Sequence, residues 1–312
     1  MQKYYKQYKW ENIFTMIRNL KRDPEICTED FKGKLVVITG ATSGIGKATA
    51  EKYAAHGAEI LCVNRNKEKS EVLCEYLKKE YKVSCSYLIA DFSSLADVHA
   101  VSKKLALLDR NIDVLIHNAG AFFTKRTLTD DGMEMVFQTN YLSTFIINQI
   151  LTEKFIKQGK GRIIYVNSEG HRFAAWGLHL DDLSWEQHSY SGSKGYGSAK
   201  LAQLLSMIKF NDLFAGSGVT INAMHPGNVK SNTGQNNGPL YKFLKKTLIE
   251  SSARSANIAA EALYFLGVSD KVKNISGKFF NLTTLEEPAP PALDREAADM
   301  LWETSLVLGG IK

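Results

Sequence analysis

Long apolar runs are missing from this chain. No uninterrupted stretch in its 312 residues reaches the roughly 18 that a bilayer-crossing helix needs, which argues against a transmembrane segment. The N-terminus is too polar and too aromatic for a secretory signal peptide. Cysteine is scarce: Cys27, Cys62, Cys74 and Cys85 are the only four. None are spaced as CxxC and no Cys/His cluster has zinc spacing, so no metal site is expected. Reduced, structural thiols in a cytoplasmic compartment are the reading, with Cys62 a buried strand residue. A chain that is 44% hydrophobic and 23% charged is neither disordered nor collagen-like. Charge of one sign is nearly absent from the body. The net charge is +6, yet Lys3, Lys6, Lys9, Arg18, Lys21 and Arg22 against Glu11 place +5 in the first 22 residues, leaving +1 for the other 290. The body offers no basic face, and no nucleic-acid partner is expected.

What is present is an alternation. Short apolar, β-branched runs at 35–40, 58–64, 84–90, 112–118, 161–168 and 219–225 read as strands, and 277–281 as a seventh. Amphipathic stretches at 45–56, 67–80, 94–108, 132–158, 194–215 and 254–267 read as helices between them. Such runs predict an α/β fold with a doubly wound parallel sheet covered on both faces. Length alone suggests two domains. No linker interrupts 34–285, so one Rossmann-type domain is expected there, preceded by a basic amphipathic arm (1–33) and followed by a Pro-linked helical tail (286–312).

The first strand runs into "TGATSGIG", with Thr39, Gly40, Ser43, Gly44, Ile45 and Gly46 before a helix. Glycines let a pyrophosphate approach main-chain N–H groups at the positive end of that helix. The second strand ends in Asn64-Arg65, where an acid usually meets the ribose hydroxyls of NAD. With the acid missing and Arg65 able to pair with a 2′-phosphate, NADP(H) is preferred, with NAD(H) left open. Ser43 is a further donor. Asp91 and Phe92 after the third strand, and Asn118 and Gly120 after the fourth, fall at strand ends that line the crevice of such a sheet.

These segments, with Ser168, "YGSAK" (196–200) and "HPGNVKS" (225–231), stand in the order of the short-chain dehydrogenase/reductase family, and the chain resembles its retinol-dehydrogenase-like branch over about residues 34–282. The resemblance implies a catalytic set of Asn140, Ser168, Tyr196 and Lys200, with Asn140 holding Lys200 through its backbone and a water. It adds Pro226, Gly227, Val229 and Ser231 around the nicotinamide, with Thr233 competing for the role of Ser231. The chemistry is consistent with the residue types. A developing alkoxide needs a proton, a tyrosine can give it once a nearby ammonium favours its phenolate, and Tyr196 and Lys200 share a helix face. Ser168 donates to the substrate oxygen. Tyr190 and Lys194 repeat the YxxxK spacing, but "SGS" between them is poor helix sequence, and Tyr190 is expected to pack. His117 replaces the more usual asparagine of the family and is expected to be packed rather than catalytic.

Phe122, Phe123, the stretch 171–185 and the loop 232–246 are candidate pocket walls, which suit a lipophilic alcohol or carbonyl. The alternative to an NADP(H)-dependent oxidoreductase is a catalytically silent dinucleotide sensor. An epimerase or dehydratase fits less well, because only about 85 residues follow "HPG". The resemblance also implies a homo-oligomer, formed through the helix of Tyr196. In the arm, Trp10, Ile13, Phe14, Ile17 and Leu20 recur at helical spacing, so the arm is expected to dock on its own domain or on a neighbouring subunit, with peripheral membrane attachment the alternative.

Overall fold

The computed structural model describes residues 2–19, 22–229 and 254–312. One eight-stranded sheet runs through it, in the order β3-β2-β1-β4-β5-β6-β7-β8. The strands are β1 (Leu35–Thr39), β2 (Glu59–Asn64), β3 (Cys85–Ile89), β4 (Val114–His117), β5 (Gly161–Val166), β6 (Val219–His225), β7 (Phe279–Asn281) and β8 (Thr284–Glu286). The first seven pair in parallel and β8 turns back antiparallel. Every residue of β1, β4 and β6 is buried, as strands covered on both faces require. Alternate residues feed two cores: Leu61 and Val63 of β2 face one layer, Ile60 and Cys62 the other.

The arm begins with α1 (Gln2–Tyr5) and α2 (Trp10–Asn19). Next come α3 (Gly44–Ala55), α4 (Lys67–Tyr81) and α5 (Leu95–Ala106). Beyond β4 lie the short α6 (Met135–Phe137), a π-turn (Gln138–Leu142) and α7 (Ser143–Gln158), and later α8 (Gly192–Leu213), α9 (Ala256–Val268) and α10 (Arg295–Leu308).

Three features differ from the sequence reading. The helix expected from 132 starts at Met135. Gly132, at φ +81°, belongs to a tight turn in which the Thr129 N–H donates to the Met133 carbonyl. The Glu134 carboxylate then accepts from the N–H groups of Val136 and Phe137 at 3.0 and 2.7 Å, fixing the first helical residue. The helix of Tyr196 begins earlier than expected, at Gly192, because Ser191 caps the Lys194 N–H. Finally, β8 spans the 285/286 boundary, and α10 packs into the core. Leu301 and Ala298 are fully buried. Trp302 meets Phe145 and Phe210 edge-on at 5.0 and 4.8 Å, and the Tyr141 hydroxyl bonds Ser305 at 2.6 Å. Burying one leucine of this kind contributes about 1.5–3 kcal/mol. Lys209–Asp299 and Arg295–Asp212 ion pairs fasten α10 to α8.

The arm is docked as well. Tyr4 is buried with its hydroxyl on Asp294 at 2.7 Å, and Asn19 donates to Glu286 of β8 at 2.8 Å. Its apolar stripe nevertheless faces outward: Trp10, Phe14 and Ile17 are 74%, 66% and 51% exposed. Leu20 lies outside the described residues. Among those residues no helix is long and apolar enough to cross a membrane.

Candidate active site

A cleft of about 490 Å³ opens where the loops after β1, β2, β3, β4, β5 and β6 converge. This is the C-terminal end of the parallel strands, where open α/β sheets bind ligands. One half is built from the glycine loop. Gly40, Ser43, Gly44 and Ile45 line it. Ser43 is the N-cap of α3, yet its side chain makes no capping bond, so the first N–H groups of this 12-residue helix are left for an anion. Thr39 and Gly46 stand behind the lining. Thr39 is fully buried, and its hydroxyl accepts from the N–H groups of Asn118 and Ala119, both at 3.0 Å. A Cβ on Gly46 would lie 2.3 Å from the Gly40 carbonyl oxygen, so this glycine allows the loop to close on its own helix.

Arg65, Asp91, Phe92, Asn118 and Gly120 all line the cleft. Arg65 lies 3.7 Å from Asp91, an exposed pair worth little in stability. Asn64 is committed elsewhere: its side chain accepts from the Ala41 N–H at 2.7 Å and donates to Ser70 at 3.1 Å. Lys69, in the first turn of α4, also lines the cleft beside Arg65. Its only signal in the sequence was its position four residues after Arg65.

The other half carries Ser168, Tyr196, Lys200, Pro226, Gly227 and Val229. Ser168 lies two residues beyond β5 and caps a 3₁₀ turn, Glu169–Phe173, by accepting from the Gly170 N–H at 3.0 Å. That turn packs tightly on α8. A Cβ on Gly170 would sit 2.9 Å from the Tyr196 ring and 3.2 Å from the Ser168 hydroxyl, and one on Gly197 would sit 2.8 Å from the Gly170 carbonyl. Two glycines that sequence reasoning passed over therefore bring Ser168 and Tyr196 together. Phe122 meets the Tyr196 ring edge-on at 5.8 Å.

Lys200 is buried, and its ammonium donates to the Val166 carbonyl at 2.7 Å and to Gln203 Oε1 at 3.1 Å. Burial pushes its pKa down to about 7. A phenolate at Tyr196 would work the other way, favouring the ammonium. Asn140 does not reach the cleft. Its side chain clamps Ala121, accepting from the N–H at 2.6 Å and donating to the carbonyl at 3.0 Å. Its own carbonyl accepts from Gln203 Nε2 at 2.8 Å. The Gln203 side chain thus bridges the Lys200 ammonium and the Asn140 carbonyl. Asn167 completes the frame, donating to the Lys200 carbonyl at 2.9 Å and accepting from the Ser168 N–H at 2.8 Å.

Tyr190 is held away from this centre, donating to Glu134 at 3.1 Å and to the Phe123 carbonyl at 3.3 Å. His117 is fully packed, with Nε2 on Asn148 Oδ1 at 2.8 Å. Phe122 and Phe123 line the cleft, together with Met135 and Thr139. The stretch 171–185 does not. His179 instead stacks on Trp176 and on His188 and meets Trp185 edge-on. Ser231, Thr233 and the loop 232–246 lie outside the described residues.

Comparison with known proteins agrees with this geometry. A family model described as short chain dehydrogenase matches residues 34–178. Retinol dehydrogenase 13 of Mus musculus is 32% identical over 286 residues, covering 89% of this chain and 84% of its own length. The WW domain-containing oxidoreductase of Homo sapiens is 31% identical over 282 residues, 88% of this chain and 68% of its own. Among solved structures, an uncharacterised protein from Mycobacterium Paratuberculosis superposes with a TM-score of 0.71 at 25% identity, over 93% of this chain and 97% of that one. A short-chain dehydrogenase from Sphingobium yanoikuyae in complex with NADPH shares the fold, with a TM-score of 0.58 at 24% identity over 75% and 83% of the two chains.

Proposed function

Because the chain belongs to the short-chain dehydrogenase/reductase family, and so is an NAD(P)-dependent oxidoreductase acting on CH–OH groups, we propose that it interconverts a lipophilic alcohol and its carbonyl with NADP(H), using Tyr196 as general acid and base. The observation that carries this reading is the convergence of Ser168, Tyr196 and Lys200 on one cleft that Phe122 and Phe123 also line, Phe122 edge-on to the Tyr196 ring.

The residues fit a nicotinamide dinucleotide. The uncapped N-terminus of α3 offers N–H donors to its pyrophosphate. Arg65 and Lys69 supply positive charge beyond β2, where no carboxylate ends the strand, which supports the 2′-phosphorylated form. The bound dinucleotide supplies or takes the hydride. The chain handles the proton. In reduction the Tyr196 hydroxyl donates to the developing alkoxide, and in oxidation the phenolate accepts. Lys200 favours the phenolate, and Ser168 donates a hydrogen bond to the substrate oxygen. Phe122 and Phe123 exclude water and favour an apolar substrate body.

The decisive experiment is oxidation of NADPH and of NADH against a panel of apolar aldehydes and ketones. Faster turnover with NADPH supports the reading. Binding of both dinucleotides without turnover would favour a regulatory dinucleotide-binding protein.

The arm supports a second element of the reading, peripheral attachment to an anionic membrane. Trp10, Phe14 and Ile17 point away from the body, and Lys6, Lys9 and Arg18 accompany them.

A further inference from the structure

Three of the four cysteines, scattered in sequence, meet in space. Cys62 lies on β2 and Cys85 on β3, whose register pairs Ile60 with Cys85 and Cys62 with Tyr87. Residues at even spacing share a face, so Cys62 and Cys85 project to the same side of the sheet, diagonal to one another. Helix α4 covers that side, presenting Leu73, Cys74 and Leu77 to it. The three sulfurs lie within 4.8 Å of one another, and all three residues are buried. Cys27, the fourth, is not part of the cluster.

The spacing is that of a ligand set. A soft ion about 2.3 Å from each sulfur holds three sulfurs at most about 4 Å apart, and closer where a lone pair makes the site pyramidal, so the cluster closes on one by drawing its sulfurs together. Two features choose the ion. No fourth Cys, His, Asp or Glu ligand joins the three among the described residues, whereas structural zinc takes four. The sulfurs are buried among Ile60, Leu73 and Leu77, and Lys78, the cation that acts on Cys74 and Cys85, is itself exposed. A divalent ion with three thiolates would leave a net negative charge there, which burial penalises heavily. A trivalent ion with three thiolates is neutral and three-coordinate.

We propose that Cys62, Cys74 and Cys85 form a trithiol site for a three-coordinate trivalent thiophile, of which arsenic(III) is the probe. Binding is a ligand exchange. Three As–O bonds of arsenous acid break and three As–S bonds form. The three thiol protons leave with the three hydroxides as water, and arsenic remains trivalent. No oxidant or reductant takes part.

The test needs only the full wild-type chain, reduced and freed of excess thiol, then titrated with sodium arsenite. Native mass spectrometry is expected to show one arsenic per chain with three protons lost. Alkylation with iodoacetamide in denaturant, followed by peptide mapping, is expected to find Cys62, Cys74 and Cys85 protected and Cys27 modified. Cys27→Ala should keep the arsenic and Cys74→Ala should lose it. Failure to retain arsenic, or protection that includes Cys27 as strongly as the other three, would overturn the site. One zinc per chain in the purified protein would overturn the trivalent assignment. A disulfide joining two of the three cysteines in the purified protein, persisting when arsenite is added after mild reduction, would also overturn it. Because protection is read on the wild-type chain, a variant that fails to fold does not decide the outcome.

Discussion

The Lys200 ammonium donates to the Gln203 side chain across 3.1 Å, deep in the core between α8 and β5. Gln203 also donates to the Asn140 carbonyl and accepts from Asn167, so one amide joins the catalytic helix, the π-turn and the end of β5. Replacing it by Leu leaves Lys200 with one acceptor and strands the Asn140 carbonyl. Losing a buried partner costs about 1–3 kcal/mol. We therefore expect Gln203→Leu to lower kcat by about tenfold, which corresponds to about 1.4 kcal/mol, with the Kd for dinucleotide little changed. The pH–rate profile should shift on its tyrosine limb, whereas a merely structural role for Gln203 would lower stability and leave the profile in place.

Tyr196 and Tyr190 should separate cleanly. Tyr196→Phe removes the proton donor and is expected to cut turnover by about 10²–10⁴-fold, with dinucleotide binding retained by fluorescence titration. Tyr190→Phe removes hydrogen bonds to Glu134 and the Phe123 carbonyl. It should lower the melting temperature while keeping the catalytic rate. The reverse pattern would move the acid–base role to Tyr190.

Discrimination between the two dinucleotides should rest on Arg65 and Lys69. A hydrogen bond to a charged group contributes about 1.5–3 kcal/mol, so Arg65→Ala is expected to weaken NADPH binding at least about tenfold. The Arg65→Ala/Lys69→Ala double variant should weaken it further, and NADH binding should change little in either. Equal losses for both dinucleotides would remove the 2′-phosphate from the assignment.

Buried histidines set the acid side of stability. Burial pushes His117 and His225 down to about 4 and His171 to about 3, from an ordinary value of 6.5. Between those values and 6.5 the unfolded chain binds protons that the folded chain refuses, so their contribution is complete above 6.5 and is lost as the pH falls. Glu169, pushed up to about 7 by burial, acts in the opposite sense across the same window. Burial also lowers His56 and His179 and raises Glu134, so five histidines stand against two carboxylates, which predicts a melting temperature that drops between pH 7 and pH 5. His117→Asn should flatten that drop, and an unchanged slope would contradict the burial argument.

Membrane attachment is best tested with the arm left docked. Replacing Trp10, Phe14 and Ile17 by Ser removes the exposed stripe while Tyr4 and Asn19 keep their partners. Co-sedimentation with anionic liposomes should fall to the level seen with neutral ones. Unchanged co-sedimentation would end the membrane reading.

The sheet, the glycine loop and the shared helix face of Tyr196 and Lys200 were legible because each is written locally. Apolar runs mark buried strands, and Tyr196 and Lys200 lie one helical turn apart. Long-range packing was not written locally. Gly170 and Gly197 act only where the 3₁₀ turn meets α8, and Gln203 acts only because the π-turn brings the Asn140 carbonyl to it. The cysteine cluster was invisible for the same reason: sheet register and helix docking assemble it from three separate elements. The tail after 286 reads as a rigid connector with an amphipathic helix, but its apolar face completes the core over α8. That helix lies over the element through which the family resemblance implies self-association.

One consequence concerns the far side of the sheet. β8 is its last strand, and a terminal antiparallel strand is a template for any free strand that approaches. Here α2 packs beside it, with Asn19 bonded to Glu286. The arm therefore acts as a guard on that edge. Preparations that trim it, by proteolysis or by design, should fail first as suspensions, through strand-to-strand clumping, before any loss of catalytic competence is seen.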